Sequence, residues 1–193
     1  SIHGAIIGGL FVLLFQSKRY NIEFFKLCDI FALGVPVAQS IGRWGNFINQ
    51  EAFGGFTGSD WWGMQSQNTI NVMLGEGLVH PCFLYESIWC IIGFFVLHYF
   101  SKNRKFSGQI ILMYCTWYGF GRAFIELLRT DSLMIGNIRV SALLSFVICI
   151  ASAVVLAVIL KRKRNDSKEE EYVGMFEQND DLSTEEVENA EDN

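Results

Sequence analysis

Apolar runs separated by short polar interruptions make up the chain as far as Leu160. Residues 4–15 form an uncharged run of 12. A bilayer span needs about 20 residues, so this run reads as the end of a helix whose earlier part would precede Ser1. Residues 27–41 form a second apolar segment, with Asp29 near its start and Gly34 and Pro36 inside it. That pattern predicts a kinked or re-entrant helix. Residues 82–100 and 108–128 read as spans, and residues 140–160 are 21 positions without a charge. Only residues 55–79, rich in Gly, Asn, Ser and Gln, lack spanning character over a long stretch. They predict a loop region or small domain outside the bilayer, with Trp61 and Trp62 suited to the membrane interface.

The expected fold is therefore all-α: a polytopic integral membrane helix bundle with an extracytoplasmic loop region. Composition agrees, with 51% hydrophobic residues, 15% aromatic, 17 Phe and a mean hydropathy of +0.27 over 193 residues. The net charge of −5 hides an asymmetry. Residues 165–193 carry 12 acids and one Lys, whereas residues 1–164 carry 14 Lys and Arg against 8 acids. Residues 1–160 thus read as the membrane body, and 161–193 as a basic-then-acidic tail whose composition predicts disorder. Basic clusters at 17–26, 102–105 and 161–164 put those ends and the tail in the cytoplasm by the positive-inside rule. His3, Arg43–Glu51, His80–Glu86 and Arg129 then fall on the extracytoplasmic side.

Several polar groups are out of place in such a chain. Residues 42–54 read Gly-Arg-Trp-Gly-Asn-Phe-Ile-Asn-Gln-Glu-Ala-Phe-Gly. Arg43, Asn46 and Asn49 offer planar donors suited to phosphate oxygens, and Gly42, Gly45 and Gly54 allow positive φ or close backbone approach. An anion site at a membrane and a plain polar turn are both open readings. Arg122, Glu126 and Arg129 stand at i, i+4 and i+7, within about 60° of one helical face. Charges at membrane depth cost at least ~2.5 kcal/mol and must face protein or water, so this stripe lines an interior cleft. One Glu cannot neutralise two Arg, and the surplus favours an anion over a self-contained structural triad. His80, Tyr85 and Glu86 open the span after Pro81, a residue suited to the first helical turn. No pair of histidines has metal-ligand spacing and the five cysteines form no Cys-x-x-Cys pair, so no metal and no disulfide framework is expected.

Residues 42–54 closely resemble the Gly-Arg-x-Gly-Asn-Phe-x-Asn-x-Glu-x-x-Gly signature of the prolipoprotein diacylglyceryl transferases. Three further pieces agree in order: His3-Gly4, His-Pro-x-x-Leu-Tyr-Glu from His80 to Glu86, and Tyr-Gly-x-x-Arg-x-x-x-Glu-x-x-Arg from Tyr118 to Arg129. The resemblance implies a bacterial cytoplasmic-membrane enzyme of about seven passes, this chain holding roughly the last five, with its active site on the extracytoplasmic side. It implies transfer of the diacylglyceryl group of phosphatidylglycerol to the lipobox cysteine of a preprolipoprotein peptide, with no cofactor, metal or nucleic acid.

On that reading His3, Arg43, Arg122 and Glu126 are the catalytic candidates. Gly42, Asn46, Asn49, Glu51, Gly54, His80, Tyr85, Glu86, Tyr118 and Arg129 are candidates for substrate binding. Ala5 and Ala142 stand where the family commonly has Gly and Gln. A lipid or organic-anion transporter is the rival from another class, since intramembrane Arg and Glu also mark transport paths, and a lipid-binding scaffold without turnover is a third reading.

Overall fold

The computed structural model describes the backbone of residues 2–130, 134–135 and 138–191, and the side chains of residues 7–130 and 139–167. It divides into two units, Ser1–Val154 and Val155–Asn193. The elements in order are α1 (Ile2–Tyr20), α2 (Phe24–Ile48), α3 (Gln67–Met73), α4 (Cys82–Ser101), α5 (Gln109–Leu128), the two-residue antiparallel strands β1 (Met134–Ile135) and β2 (Ile138–Arg139), and α6 (Val140–Glu191). The fold is a helical integral membrane bundle. Three described helices are long and apolar enough to cross a membrane: α2, α4 and the Val140–Ser167 part of α6. The acidic segment expected to be disordered carries helical backbone in α6, and its side chains from residue 168 on lie outside the described residues.

α2, α4 and α5 pack on one another, and α1 lies against α2. α5 is a 20-residue helix, but it does not meet the hydropathy of a free-standing span. Its Tyr, Thr, Arg and Glu side chains account for this, because they are turned towards the other helices. The outward faces carry the apolar residues instead: Ile30, Phe31, Val37 and Ile41 on α2, and Ile91, Ile92 and Phe95 on α4, are all exposed. Such a surface suits hydrocarbon.

α2 holds helical backbone through Gly34 and a buried Pro36, so no re-entrant turn breaks it there, and it continues through Gly42 and Gly45 to Ile48. Away from water the remaining backbone hydrogen bonds hold a helix across one missing N–H. The helix ends in a Schellman turn: Gln50 N–H donates to the Phe47 carbonyl at 3.1 Å and Glu51 N–H to that of Asn46 at 2.9 Å. The left-handed residue is Gln50, at φ 55°, and not a glycine. Its conformational cost of roughly 1–2 kcal/mol is offset by a clamp onto Asn68. The Asn68 backbone N–H donates to Gln50 Oε1 at 3.2 Å, and the Asn68 side-chain amide donates to the Gln50 carbonyl at 2.7 Å. A methyl group on Gly42 or Gly45 would meet no atom of another segment within 4 Å, so neither glycine serves a close approach.

Two contacts lock α5 in place. Trp89 and Trp117 stack with centroids 4.4 Å apart and planes at 15°, and each indole N–H donates to the other's backbone carbonyl at 3.0 Å. This exchange requires Gly121 under Trp89 and Gly93 under Trp117, where any Cβ would collide with an indole. At the other end, Asp29 of α2 is 1% exposed. Its carboxylate accepts the backbone N–H groups of Gly108, Ile110 and Ile111 at 2.9, 2.9 and 3.0 Å, which are donors a helix N-terminus leaves unsatisfied. Arg104 Nη1 lies 3.4 Å from the same carboxylate. Replacing Asp29 with Ala orphans three buried donors, so we expect a loss of about 3 kcal/mol. Thermal unfolding in detergent measures this, and an unchanged midpoint would refute the cap.

Candidate functional site

The out-of-place polar residues converge where α2, α4 and α5 meet, and Glu86 is the centre. Its side chain keeps 3% of its surface. Oε1 lies 2.5 Å from Arg43 Nη2 and accepts the Tyr118 hydroxyl at 2.9 Å, while Oε2 accepts Arg122 Nη1 at 3.0 Å. Arg122 Nη2 is 2.6 Å from Glu126 Oε2, and Arg129 Nε is 4.0 Å from the same oxygen. Arg43 Nη2 also donates to the Tyr118 hydroxyl at 3.3 Å. The stripe read on α5 is therefore real, and Glu86 gives it a second carboxylate from α4. Among the described residues the cluster brings together three guanidiniums and two carboxylates.

Burial divides the two signs. Glu86 and Glu126 are sealed at 3%, whereas the Arg43, Arg122 and Arg129 side chains keep 17%, 16% and 14% of their surfaces. In each pair the arginine is the less buried partner. A guanidinium has five N–H donors, and the contacts to Glu86, Glu126 and Tyr118 occupy only some of them on Arg43 and Arg122. The arrangement suits a small anion presenting several oxygens.

The other candidates form smaller groups. Gly54 is buried where three segments cross: its N–H donates to the His80 carbonyl at 2.9 Å, and Gly55 N–H donates to that of Leu128 at 3.1 Å. A Cβ on Gly54 would lie 2.7 Å from His80 Cβ and 2.8 Å from Leu128 O, so here close approach does require glycine. This crossing ties the loop after α2 and the start of α4 to the end of α5, next to Arg129. His80 Nδ1 and the Tyr85 hydroxyl are 3.1 Å apart, and Trp62 Nε1 donates to that hydroxyl at 2.9 Å.

Asn49 caps α2, and its side-chain amide donates to Glu51 at 3.3 Å; both residues are exposed and stand apart from the arginine cluster. Asn46 is exposed or half-buried surface of the last turn of α2, one turn from Arg43, and Gly42 faces open space. His3 lies in α1, and its side chain is outside the described residues. Among the described residues no group of His, Cys, Asp and Glu has the geometry to hold a metal ion.

Two contributors carried no signal in the sequence. Trp62 reaches Tyr85 from the loop, and Arg139 of β2 donates through Nη1 to the carbonyls of Glu126 (2.6 Å) and Leu127, closing the C-terminal end of α5. An arginine at the head of an apolar run looks like a boundary marker, and nothing local in sequence indicates which carbonyls it meets.

Comparison with known proteins identifies the family. Residues 1–158 match the family model for prolipoprotein diacylglyceryl transferase. A protein of Clostridioides difficile (strain 630) is 45% identical over 170 residues, which is 88% of this chain and 65% of that protein. One of Ligilactobacillus salivarius is 44% identical over 173 residues (86% and 62%), and one of Listeria innocua 44% over 155 (79% and 56%). Each of the three is named a phosphatidylglycerol–prolipoprotein diacylglyceryl transferase. The chain spans a little under two thirds of the length of the curated relatives it matches. With the family match covering most of its length, the chain belongs to the prolipoprotein diacylglyceryl transferase family.

Proposed function

We propose that this chain carries the catalytic centre of a phosphatidylglycerol–prolipoprotein diacylglyceryl transferase in the bacterial cytoplasmic membrane, opening to the extracytoplasmic side. The observation that carries this reading is the arginine cluster: three part-buried arginines gathered on two sealed carboxylates. In the reaction a cysteine thiolate attacks the glycerol carbon that bears the phosphate. The C–S bond forms, the C–O bond breaks with its electron pair going to oxygen, and glycerol 1-phosphate departs. The phosphate passes from a singly charged diester to a doubly charged monoester without leaving its seat. Guanidiniums already in place stabilise that developing charge more in the transition state than in the ground state.

Arg43 and Arg122 hold the phosphate in this mechanism, and Glu86 and Glu126 fix their orientation. Tyr118 donates to Glu86, Arg129 extends the cationic rim, and Asn46, one turn from Arg43, contacts the glycerol headgroup. Gly54 holds the loop after α2 against the start of α4 and the end of α5 beside Arg129. His80, with Tyr85 behind it, offers an N–H donor beside the rim. His3 takes the thiol proton, since an imidazole with its ordinary pKa of ~6.5 is mostly neutral at physiological pH. The protein substrate is the lipobox peptide of a preprolipoprotein. The transporter alternative gains no support from the relatives, and no cofactor enters the mechanism.

The decisive experiment incubates the full-length protein with phosphatidylglycerol and a lipobox peptide and follows glycerol phosphate release. Release that depends on the peptide thiol is expected; its absence would sink the reading. Arg43→Ala and Arg122→Ala should each lower kcat/KM by at least about a hundredfold while the protein still inserts, and retained activity in either would move the phosphate role elsewhere. Glu86→Gln keeps the side chain's shape but not its charge, so we expect kcat to fall at least about tenfold with little change in KM for the lipid. For His3, we expect His3→Gln to lower the rate most at neutral pH, and an unchanged pH profile would demote it to positioning.

A further inference from the structure

The turn of α5 that bears Glu126 is closed from outside the helix. A helix leaves its last four carbonyls without intrahelical donors. Here the Leu128 carbonyl accepts the Gly55 N–H at 3.1 Å, and that of Glu126 accepts the Arg129 N–H at 3.3 Å. Arg139 Nη1 donates to the Glu126 carbonyl as well, at 2.6 Å, and to that of Leu127. Both of these bonds come from a guanidinium, so they are charge-assisted and meet the negative end of the helix dipole. Arg139 is the sole Lys or Arg between Arg129 and Lys161, and the mechanism above gives it no part.

Arg139 is anchored at its other end. Its backbone pairs with Met134 in the β1–β2 hairpin, and α6 begins at the next residue. Further along, α6 is seated on α5 itself: a Cβ on Gly119 would lie 2.8 Å from the Ser145 carbonyl oxygen, and Thr116 Oγ1 and Ser152 Oγ are 2.9 Å apart. Those contacts lie about two and three turns before Glu126 on α5. Arg139 thus ties the last turn of α5 to an element already registered on the same helix. What that turn carries is the Glu126 carboxylate, 3% exposed and 2.6 Å from Arg122 Nη2. A shift of the Glu126 backbone therefore moves Arg122, and displacements of about 1 Å can slow a reaction about a hundredfold.

We propose that Arg139 is a positioning residue for the transfer reaction: by gripping the Glu126 and Leu127 carbonyls it fixes the Glu126 carboxylate, which sets Arg122 on the phosphate of the lipid. This rests on the transferase reading, and the experiment separates the two. The full-length protein and its Arg139→Gln and Arg139→Lys variants are given the lipobox peptide with phosphatidylglycerol, or with each diastereomer of its analogue bearing sulfur in place of one non-bridging phosphate oxygen. Sulfur accepts a weaker hydrogen bond, so the parent should use the diastereomer with sulfur at the arginine-held position at least about tenfold more slowly than phosphatidylglycerol. Arg139→Gln should lower kcat on phosphatidylglycerol about tenfold and shrink the oxygen-to-sulfur rate ratio to about threefold, because a displaced Arg122 discriminates less. The ratio is taken within one preparation, so a loss of folded protein does not move it. Arg139→Lys, whose ammonium has donors for both carbonyls, should keep the ratio closer to the parent's. A ratio unchanged in Arg139→Gln, a Lys variant no better than Gln, or a parent indifferent to sulfur would each overturn the proposal while leaving the transferase reading intact. No thiol-dependent transfer by the parent would remove both.

Discussion

A carboxylate at the meeting point of three membrane helices must be surrounded by positive charge, and Glu86 shows how much follows from that requirement. Removing a carboxylate from water costs several kcal/mol unless strong partners replace the solvent. Glu86 obtains them from two other helices: Arg43 on α2, and Tyr118 and Arg122 on α5. The same contacts draw the three helices together and aim the arginines. Satisfying one buried acid thus builds both a bundle and a cationic site. Glu126 repeats the arrangement one step along α5, so Arg122 does not depend on a single anchor.

What the sequence made legible was what has a local period. The Arg122, Glu126 and Arg129 stripe follows from helical spacing, and the structure joins all three around one oxygen. The apolar runs located the helices. The partnership of Glu86 with Arg43 and Arg122 spans tens of residues and leaves no periodic trace, so the pattern alone read Glu86 as a polar residue at the start of a span, and only the family resemblance made it a candidate. Residues 42–54 misled in a different way. Gly42, Gly45, Asn46 and Asn49 are the vocabulary of turns, yet α2 continues through the first three because its neighbours are apolar, and the turn falls on Gln50, which a propensity argument would pass over. Asp29 stood out as an acid in an apolar run, but its partners are backbone amides, which have no sequence signature at all.

Asp29 bears on how the bundle is put together in time. The amides it caps lie 79 to 82 residues further along the chain, so during synthesis α2 enters the membrane long before its charge has those partners. Until α5 arrives, Asp29 near the N-terminal end of α2 lacks those partners, and α5 in turn arrives with bare amides at its N-terminus. Each helix is an incomplete insertion product that the other completes. The cap thus sets an order of assembly, in which α2 waits as the template and the α4–α5 hairpin is recruited to it, before the arginine cluster at the opposite end of the bundle can close.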